Sequence, residues 1–512
     1  MFRTFAILGT VHKLCLIIID GFGVAPPGPG NARTLANLPT ITRLEKETPN
    51  VIMQAAGNAA GLPEGQQGAS EPGHLVIGAG RIVWQPLEEI NQAIKSGSFF
   101  ENAVLTGACK RAAEHHVPLH LVGIYSQGGV HGHAGHWRAL IELAGRHKVE
   151  RIVLHLIGDG RDVPKQQFCE DYGVLQKYLR GHPSVKVASL IGRYYGMDRD
   201  KQFATRTKLA YDLYTQGRGD ETGDLCAGSQ AWYAKAPEKE KTDYYIQPLK
   251  TPDFLPMGAD DVVIGVNFRT DRMFQIVAAL EQENFSAFER PVRVTDVVCM
   301  GPYSEHLPVA FPAQKLTNTL TEVVSNAGGK ILKIAETDKW AHTTFFFNGQ
   351  RGEPFPNEDR ILIDSPKVPN FASAPRMSAD ALTDRLIKEA SSKRYDLIVV
   401  NYANPDLVGH GGVLEAEIIA CEAVDQNLGR LLPVLEQNGY GWIVTADHGN
   451  AEEKLIPGTT QVSPSHTANP VQTFVHSTKF PSSDALKGNT GIKDIAPMCL
   501  TIMDLPVPAE MQ

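Results

Sequence analysis

The sequence predicts an α/β protein whose sheets are mainly parallel. Apolar runs rich in β-branched residues alternate with helical patterns along the chain, which is typical of parallel α/β layers. The segments between the runs carry Gly, Pro and Asp, as connections do. The runs are LCLIIID, VPLHLVGIYS, ERIVLHLIGD, VKVASLIGR, DVVIGVNFR, GKILKIAE, DLIVVNYA and GWIVTADHG. Several end at carboxylate or imidazole side chains, which predicts a site at a sheet edge.

The order of these runs predicts two domains, one of them discontinuous. A chain of 512 residues is longer than one hydrophobic core usually grows. Potential metal ligands follow strands near both ends, at Asp20 and again from Asp406 onward. We therefore predict a metal-binding domain made of 14–85 and 313–512, with a substrate-binding domain at 86–312 inserted into it. We interpret the N-terminal MFRTFAILGTVHK as an extension ahead of the first strand.

Composition excludes several classes of function. The net charge of -8 disfavours a nucleic-acid-binding protein, which normally has a basic excess. Seven scattered cysteines without a CxxC pair indicate free thiols in a reducing compartment and not a disulfide framework. No apolar stretch reaches the roughly 18 residues that a membrane helix needs. We expect a cytoplasmic protein without nucleic-acid or membrane partners.

A first group of metal ligands is predicted near the C-terminus. Asp406 and His410 are four residues apart, so a helix beginning in DLVGHGG places both on one face. His466 is the natural third ligand. It lies between Pro464 and Pro470, whose fixed φ angles restrict the surrounding backbone.

A second group follows two other strands. Asp447 and His448 come directly after one run, and Asp20 ends another. Taken alone, a strand-terminal Asp is more often a helix cap, but several such matches together favour a metal site. The mixed oxygen and nitrogen set suits Mn²⁺, Zn²⁺ or Co²⁺ better than Ca²⁺.

A candidate nucleophile lies in the glycine-rich segment GLPEGQQGASEPGHLVIGAGR. Ser70 is predicted to be the N-cap of a helix, with Pro72 in its first turn. Capping alone would explain this serine. A hydroxyl near a helix N-terminus and a divalent cation is, however, favoured as an alkoxide that accepts phosphate. Ser70 is therefore a candidate metal-activated nucleophile.

Nine ordered motifs resemble those of the cofactor-independent (2,3-bisphosphoglycerate-independent) phosphoglycerate mutases. They are GASEPGH, GGVHGH, GDGRD, GRYYGMDRD, NFRTDR, AETDKWAHTTFFFNG, PDLVGH, TADHGN and SHTANP, and they extend from Asp20 to about Val475. The resemblance implies an alkaline-phosphatase-like sandwich of helices around a mainly parallel sheet, with a second α/β domain inserted. It also implies two divalent ions, with Mn²⁺ preferred over Mg²⁺, Co²⁺ or Zn²⁺, no 2,3-bisphosphoglycerate, a phosphoglycerate substrate and a monomeric state.

The resemblance assigns roles to individual residues. It implies that one ion binds Asp406, His410 and His466, and that the other binds Asp20, Ser70, Asp447 and His448. Ser70, Asp162 and Lys339 are the implied catalytic residues. The implied substrate-contacting residues are His131, Asp159, Arg161, Asp162, Arg193, Arg199, Arg269, Arg272 and Lys339.

Some of these assignments have alternatives on the residues alone. Taken alone, any single Arg of GRYYGMDRD is better explained by pairing with Asp198 or Asp200 on a solvated surface. In HGHAGH, His133 or His136 could replace His131, and the family pattern favours His131.

The motifs also depart from the family pattern. Ala69 and Pro72 replace the usual Asn and Val, and Gln127 and Gly132 replace Asp and Ser. Loss of an amide donor beside Ser70 is expected to weaken binding of phosphate or glycerate by about 1 kcal/mol, the free energy of one hydrogen bond.

The function expected is an isomerase that interconverts 3-phosphoglycerate and 2-phosphoglycerate in glycolysis and gluconeogenesis, through a phosphoserine intermediate. The alternatives are a metal-dependent phosphohydrolase or other phosphomutase of the same superfamily, and a catalytically silent relative.

Overall fold

The computed structural model describes residues 12–456 and 458–512. These residues form two compact units: one comprises the described residues up to Gln85 together with Lys315–Gln512, and the other is Pro86–Gln314. Residues 1–11 of the expected N-terminal extension lie outside the described part of the chain. Among the described helices, none has both the length and the apolar character needed to cross a bilayer.

The described strands, in chain order, are β1 Lys13–Ile19, β2 Asn50–Met53, β3 Leu119–Ile124, β4 Ile152–Gly158, β5 Val185–Gly192, β6 Asp220–Glu221, β7 Leu249–Lys250, β8 Val262–Gly265, β9 Asp296–Cys299, β10 Ile331–Glu336, β11 Glu358–Ile363, β12 Leu397–Tyr402, β13 Tyr440–Thr445 and β14 Val471–His476.

The described α-helices are α1 Ala32–Leu35, α2 Pro39–Glu47, α3 Ser70–Ala79, α4 Pro86–Ser96, α5 Ala103–Glu114, α6 Ala134–Arg146, α7 Phe168–Leu179, α8 Arg193–Gly196, α9 Lys208–Gln216, α10 Leu225–Lys235, α11 Phe274–Glu281, α12 Leu320–Asn326, α13 Ala379–Ser391, α14 Asn404–Gly409, α15 Leu414–Gln437 and α16 Ile495–Ile502.

The first unit is built on a seven-stranded sheet with the order β11-β10-β12-β1-β13-β14-β2. Its centre is parallel, because β1 pairs in parallel with both β12 and β13. At one end of the sheet, β14 is antiparallel to β13, and the edge strand β2 is antiparallel to β14. Helices cover the sheet, so the residues of β1 from Leu14 to Ile19 are fully buried. This explains its continuous apolar run.

The second unit has its own seven-stranded sheet, with the order β6-β7-β5-β4-β3-β8-β9. Five neighbouring strands of this sheet, β5-β4-β3-β8-β9, are parallel to one another. The strand β7 runs antiparallel to β5. The predicted α/β class with mainly parallel sheets is confirmed. The roles predicted for the two segments of the chain stay predictions.

The expectation that all seven cysteines are free thiols is wrong for one pair. Cys169 in α7 and Cys226 in α10 form a disulfide across 57 positions of sequence. The tertiary packing of two helices brought together cysteines that have no recognisable spacing in the sequence. The free thiols, all buried, are Cys15, Cys109, Cys299, Cys421 and Cys499.

Candidate metal centre

The candidate centre lies at the carboxyl edge of the first unit's sheet. Because β12, β1 and β13 are adjacent and parallel, the residues that follow them meet at the same edge. Asp20 follows β1, Asp447 and His448 follow β13, and Asp406 lies in α14 directly after β12. All four side chains are buried.

Ser70 is the first residue of α3 and not its N-cap, so the helix begins one residue earlier than predicted. Ala69 is the N-cap residue and Ser70 begins the helix, so the expected side-chain cap is absent. The hydroxyl is instead part of the centre: it donates to Asp20 Oδ1 at 3.0 Å and lies 2.9 Å from His448 Nε2. Gly73 permits this approach, since a Cβ there would lie 2.8 Å from the backbone oxygen of Asp447.

Lys339 joins the serine to the carboxylates. Its Nζ donates to Ser70 Oγ at 2.7 Å, to Asp20 Oδ1 at 2.8 Å and to Asp406 Oδ2 at 2.6 Å. Burial by itself would lower the pKa of Lys339, but the carboxylates of Asp20, Asp406 and Asp447 outweigh burial and raise it. The lysine is therefore a permanent cation beside the hydroxyl.

Two sets of ligand atoms converge around this cluster. In the first, one atom each from Asp406, His448 and His466 lie within 4.8 Å of one another. His410 borders this set, with Nε2 3.3 Å from Asp406 Oδ1 and 3.0 Å from His466 Nε2. The second set is Asp20, Asp447 and His448.

The chemistry of these residues fits divalent ions. His410 Nδ1 lies 2.7 Å from the carbonyl oxygen of Pro464 and His466 Nδ1 lies 2.8 Å from that of Gly68, so each neutral ring carries its hydrogen on Nδ1. The two Nε2 atoms, 3.0 Å apart, then both present lone pairs that can bind a cation. Asp447 Oδ2 is buried without a hydrogen-bond partner, although His74 and His448 lie near it. Carboxylate with imidazole is a donor set used for Mn²⁺, Co²⁺ and Zn²⁺.

The charges of the centre are strongly coupled. Burial alone would lower the pKa of His448, but nearby Asp447, Asp20 and Asp406 raise it to about 10. The pKa of Asp406 is held well below its ordinary value by Lys339 and by hydrogen bonds from two imidazoles, against the opposing effect of burial.

Two further residues support the centre, and the sequence analysis missed them. His74 Nδ1 lies 2.9 Å from the carbonyl oxygen of Ser70 and 3.1 Å from Asp447 Oδ2. Asn401 Nδ2 donates to Asp20 Oδ2 at 2.8 Å and lies 3.0 Å from His74 Nε2. An amide N–H donates, so Nε2 of the imidazole accepts and Nδ1 carries the hydrogen. The sequence held a signal for each of them: His74 is the last residue of GASEPGH, and Asn401 is an amide within the otherwise apolar or aromatic strand LIVVNY.

The second unit holds the other predicted residues, again after parallel strands. Asp159 follows β4, and Arg193 follows β5. Arg193 Nη1 donates to Asp159 Oδ1 at 2.5 Å and to Asp162 Oδ2 at 2.6 Å. It therefore does not pair with Asp198, which Arg206 binds. The Arg161 side chain is exposed.

A second part of this group surrounds His131. The imidazole lies 3.7 Å from Asp162 Oδ2 and 3.5 Å from Asp271 Oδ1. Burial, and then the charge of Arg193, lower the pKa of His131 to about 4. The two alternatives have other contacts, since His133 caps α6 and buried His136 lies 3.1 Å from Asn91 Oδ1.

The remaining predicted arginines lie near Asp271. Arg199 and Arg269 form ion pairs with its carboxylate. Arg272 is buried, and its Nη1 donates to the carbonyl oxygen of Met197 at 3.3 Å.

One departure from the family pattern has a steric reason. A Cβ on Gly132 would lie 2.8 Å from Ile124 Cγ2 and 3.2 Å from the backbone oxygen of that residue. A serine fits this position only if Ile124 moves. The structure gives no comparable reason for Gln127.

Comparisons with known proteins identify the family. The pattern of the Metalloenzyme superfamily matches residues 12–507. The chain is 43% identical over 508 residues to a 2,3-bisphosphoglycerate-independent phosphoglycerate mutase of Moorella thermoacetica, covering 98% of this chain and 97% of the relative. It is 41% identical over 509 residues to 2,3-bisphosphoglycerate-independent phosphoglycerate mutase 1 of Methanosarcina acetivorans, with coverage of 98% and 97%.

A solved structure is also similar over the full length. The crystal structure of Leishmania mexicana phosphoglycerate mutase at low cobalt concentration matches with a TM-score of 0.59 and 28% identity, covering 98% of this chain and 97% of that chain. The chain belongs to the metalloenzyme superfamily and, within it, to the family of 2,3-bisphosphoglycerate-independent phosphoglycerate mutases.

Proposed function

We propose that this protein interconverts 3-phosphoglycerate and 2-phosphoglycerate in glycolysis and gluconeogenesis, with Ser70 as the transient phosphoryl acceptor. One observation carries the proposal: the Ser70 hydroxyl, at a helix N-terminus, bonds to a cationic Lys339 within a cluster of carboxylates and imidazoles. Phosphoryl transfer requires this equipment, an oriented nucleophile and concentrated positive charge. The full-length relatives bear the name of this activity.

We propose that the centre holds two divalent ions, preferably Mn²⁺. Asp406, His410 and His466 would bind one, and Asp20, Ser70, Asp447 and His448 the other. Bound there, the ions would supply positive charge for the phosphoryl oxygens and favour the serine alkoxide. His448 contributes to both of the converging ligand sets, so the two sites are adjacent. Metal analysis of protein purified without chelator identifies the ion.

The chain's own residues account for the remaining steps. Ser70 Oγ loses its proton and bonds to phosphorus as the bond from phosphorus to the 3-oxygen of glycerate breaks, and that oxygen takes up one proton. The 2-hydroxyl of glycerate then loses its proton as its oxygen bonds to phosphorus, the bond from phosphorus to Ser70 Oγ breaks, and Oγ regains a proton. Lys339 offsets the charge that develops on Oγ.

The second unit supplies the proposed glycerate contacts. Asp159 and Asp162 hold Arg193 in a fixed position, from which it can bind a carboxylate. We assign Asp162 to proton exchange with the hydroxyls. His131, Arg161, Arg199, Arg269 and Arg272 complete the proposed set. Retention of glycerate distinguishes a mutase from a phosphatase.

A product assay tests this function. Purified protein is incubated with 3-phosphoglycerate, and 2-phosphoglycerate is measured against free phosphate. Ser70→Ala is expected to lower kcat by roughly a thousandfold or more. Ser229→Ala is the matched control, because Ser229 is also buried but lies in α10 of the second unit, where its hydroxyl donates to the carbonyl oxygen of Leu225.

The outcomes separate the alternatives. Dominant release of free phosphate would identify a phosphohydrolase. Turnover that appears only after Ala69→Asn would identify a silent relative. Unchanged turnover in Ser70→Ala would remove the proposed nucleophile.

We further propose that the protein acts as a cytoplasmic monomer on a small-molecule substrate, without nucleic-acid or membrane partners. The net charge of -8 supports the absence of a nucleic-acid partner. Sedimentation equilibrium tests the monomeric state, and cell fractionation tests the location.

A further inference from the structure

Asp271 lies in the connection between β8 and α11 and contacts three of the residues proposed to bind substrate. Its Oδ2 lies 3.1 Å from Arg199 Nη1, and its Oδ1 lies 3.3 Å from Arg269 Nε. His131 Nδ1 is 3.5 Å from the same Oδ1, which is buried and has no hydrogen-bond partner. Within the described part of the chain, Arg199 and Arg269 have no other hydrogen-bonding or ion-pairing side chain.

The surroundings of Asp271 carry excess positive charge. Burial, and then the charges of Arg193 and Arg199, lower the pKa of Arg272. Two carboxylates already neutralise Arg193, whereas Arg199 and Arg269 share the carboxylate of Asp271. These two guanidinium groups are about half exposed, with side-chain exposures of 48% and 52%. They are therefore open to a dissolved anion.

We propose that Asp271 is an internal competitor of the substrate, whose carboxylate occupies the place of a substrate acid group on Arg199 and Arg269. The carboxylate accepts a hydrogen bond from Arg199 and forms an ion pair with Arg269, two guanidinium groups that an incoming phosphate or carboxylate would use. Binding of the substrate displaces Asp271 from both. The ligand class, a small phosphorylated hydroxy acid, rests on the proposed function.

This competition has a consequence for selectivity. A weak monoanion gains little by replacing a carboxylate that is already in place. A ligand with both a phosphate and a carboxylate gains more, because it makes further contacts beyond those it displaces. Displacing Asp271 costs both ligands the same free energy, so Asp271 would lower both affinities by the same factor, and at a low ligand concentration only the ligand with the further contacts would remain bound.

The test is anion binding by the isosteric variant Asp271→Asn. Calorimetry measures the Kd of 3-phosphoglycerate and of inorganic phosphate in the metal-loaded full chain, with Ser70→Ala present to prevent turnover. We expect roughly threefold to tenfold tighter binding, the scale of losing a solvent-accessible ion pair as competitor. Asp253→Asn is the control, because it removes one negative charge from an exposed carboxylate beside Lys186.

Two additional variants locate the effect. Replacing Arg199 and Arg269 by Ala should abolish the gain from Asp271→Asn, because the carboxylate then has nothing to compete for. If Asp271→Asn fails to fold, as judged by circular dichroism, Asp271→Ser takes its place.

Equal or weaker binding by the folded variant, or a gain that persists without the two arginines, overturns the proposal. The proposed function fails separately, if the wild-type protein does not convert 3-phosphoglycerate. The effect of Asp271→Asn on inorganic phosphate would still be measurable in that case.

Discussion

At the scale of single residues, the centre combines a proposed nucleophile, a cation and proposed metal ligands that no local pattern could position. Lys339 is separated from Ser70 by 269 positions and from Asp20 by 319, yet its ammonium group bonds to both. A buried lysine stays charged only where carboxylates surround it. The predicted metal ligands thus also explain why this lysine is charged.

The supporting pair His74 and Asn401 gives a prediction about metal affinity. His74→Leu removes the contacts of both imidazole nitrogens, whereas His74→Asn keeps a donor near the Nδ1 position. We expect His74→Leu to weaken metal binding by roughly 10- to 100-fold and His74→Asn by less, since groups behind the ligands orient them. Calorimetric titration of chelator-treated protein measures this without reference to activity.

The control for this prediction is His476→Gln. His476 ends β14, and its exposed imidazole stacks on Trp442 of β13. Its metal affinity should equal that of the wild type. If His74→Leu also binds metal normally, the orientation of the ligands does not depend on His74.

Glu336 gives a prediction about stability and pH. Burial raises its pKa to about 7, although the Ser378 backbone N–H donates to Oε1 at 3.1 Å. The folded state thus holds this proton more tightly than the unfolded chain does. The resulting stabilisation is complete below about pH 4.5 and is lost as pH rises through about 7.

Glu336→Gln should therefore match the wild type near pH 5 and exceed it at pH 8.5 by on the order of 2 kcal/mol. Urea unfolding at both pH values measures the difference. Exposed Glu353→Gln serves as the control. A difference that is the same at the two pH values would contradict ionisation as its cause.

At the scale of elements, parallel strand ends assemble both predicted groups of residues. In the first unit the ends of β12, β1 and β13 converge, and in the second those of β4 and β5 do so. The helix α3 reaches the first edge because Gly73 has no side chain against Asp447. Gly73→Ala would push the helix that carries Ser70 away from the ligands.

The disulfide between α7 and α10 gives a prediction about stability. Closing a loop of 57 positions restricts the unfolded chain, so its loss should cost about 2–4 kcal/mol. Thermal unfolding of the wild type with and without reductant measures this. The double variant Cys169→Ser with Cys226→Ser should match the reduced wild type and respond no further to reductant. Equal melting in both conditions would show that the purified protein lacks the bond.

At the scale of the whole molecule, metal binding should couple to folding. Lys339 offsets only part of the charge of the carboxylates gathered at this buried edge, and an ion that binds only the folded state stabilises it by mass action. Mn²⁺ at about one hundred times its Kd should raise the free energy of unfolding by about 2.7 kcal/mol. Calorimetric melting with chelator and with Mn²⁺ measures the shift.

The matched variant for this prediction is Asp406→Asn, which removes one carboxylate from the first ligand set. The Mn²⁺-dependent part of the shift should fall in this variant. A wild-type melting temperature that does not respond to any of the candidate ions would contradict the metal centre.

The sequence by itself determined the α/β class and the residue types of the centre. Continuous apolar runs indicate buried parallel strands, and a residue that ends such a strand lies at the edge of a sheet whatever the strand order. Motif order identified the family, because its functional residues occur in short segments that remain legible one by one.

Only the tertiary structure decided which of these segments are neighbours. Contacts between distant positions decide the features that the sequence analysis missed. They are the position of Ser70 inside α3, the support from His74 and Asn401, the pairing of Arg193 with Asp159, the ion pairs of Asp271 and the disulfide. Hydrogen bonds and ion pairs act over a few ångströms in space. Separation along the chain carries no information about such distances until the strands are ordered and the helices are packed.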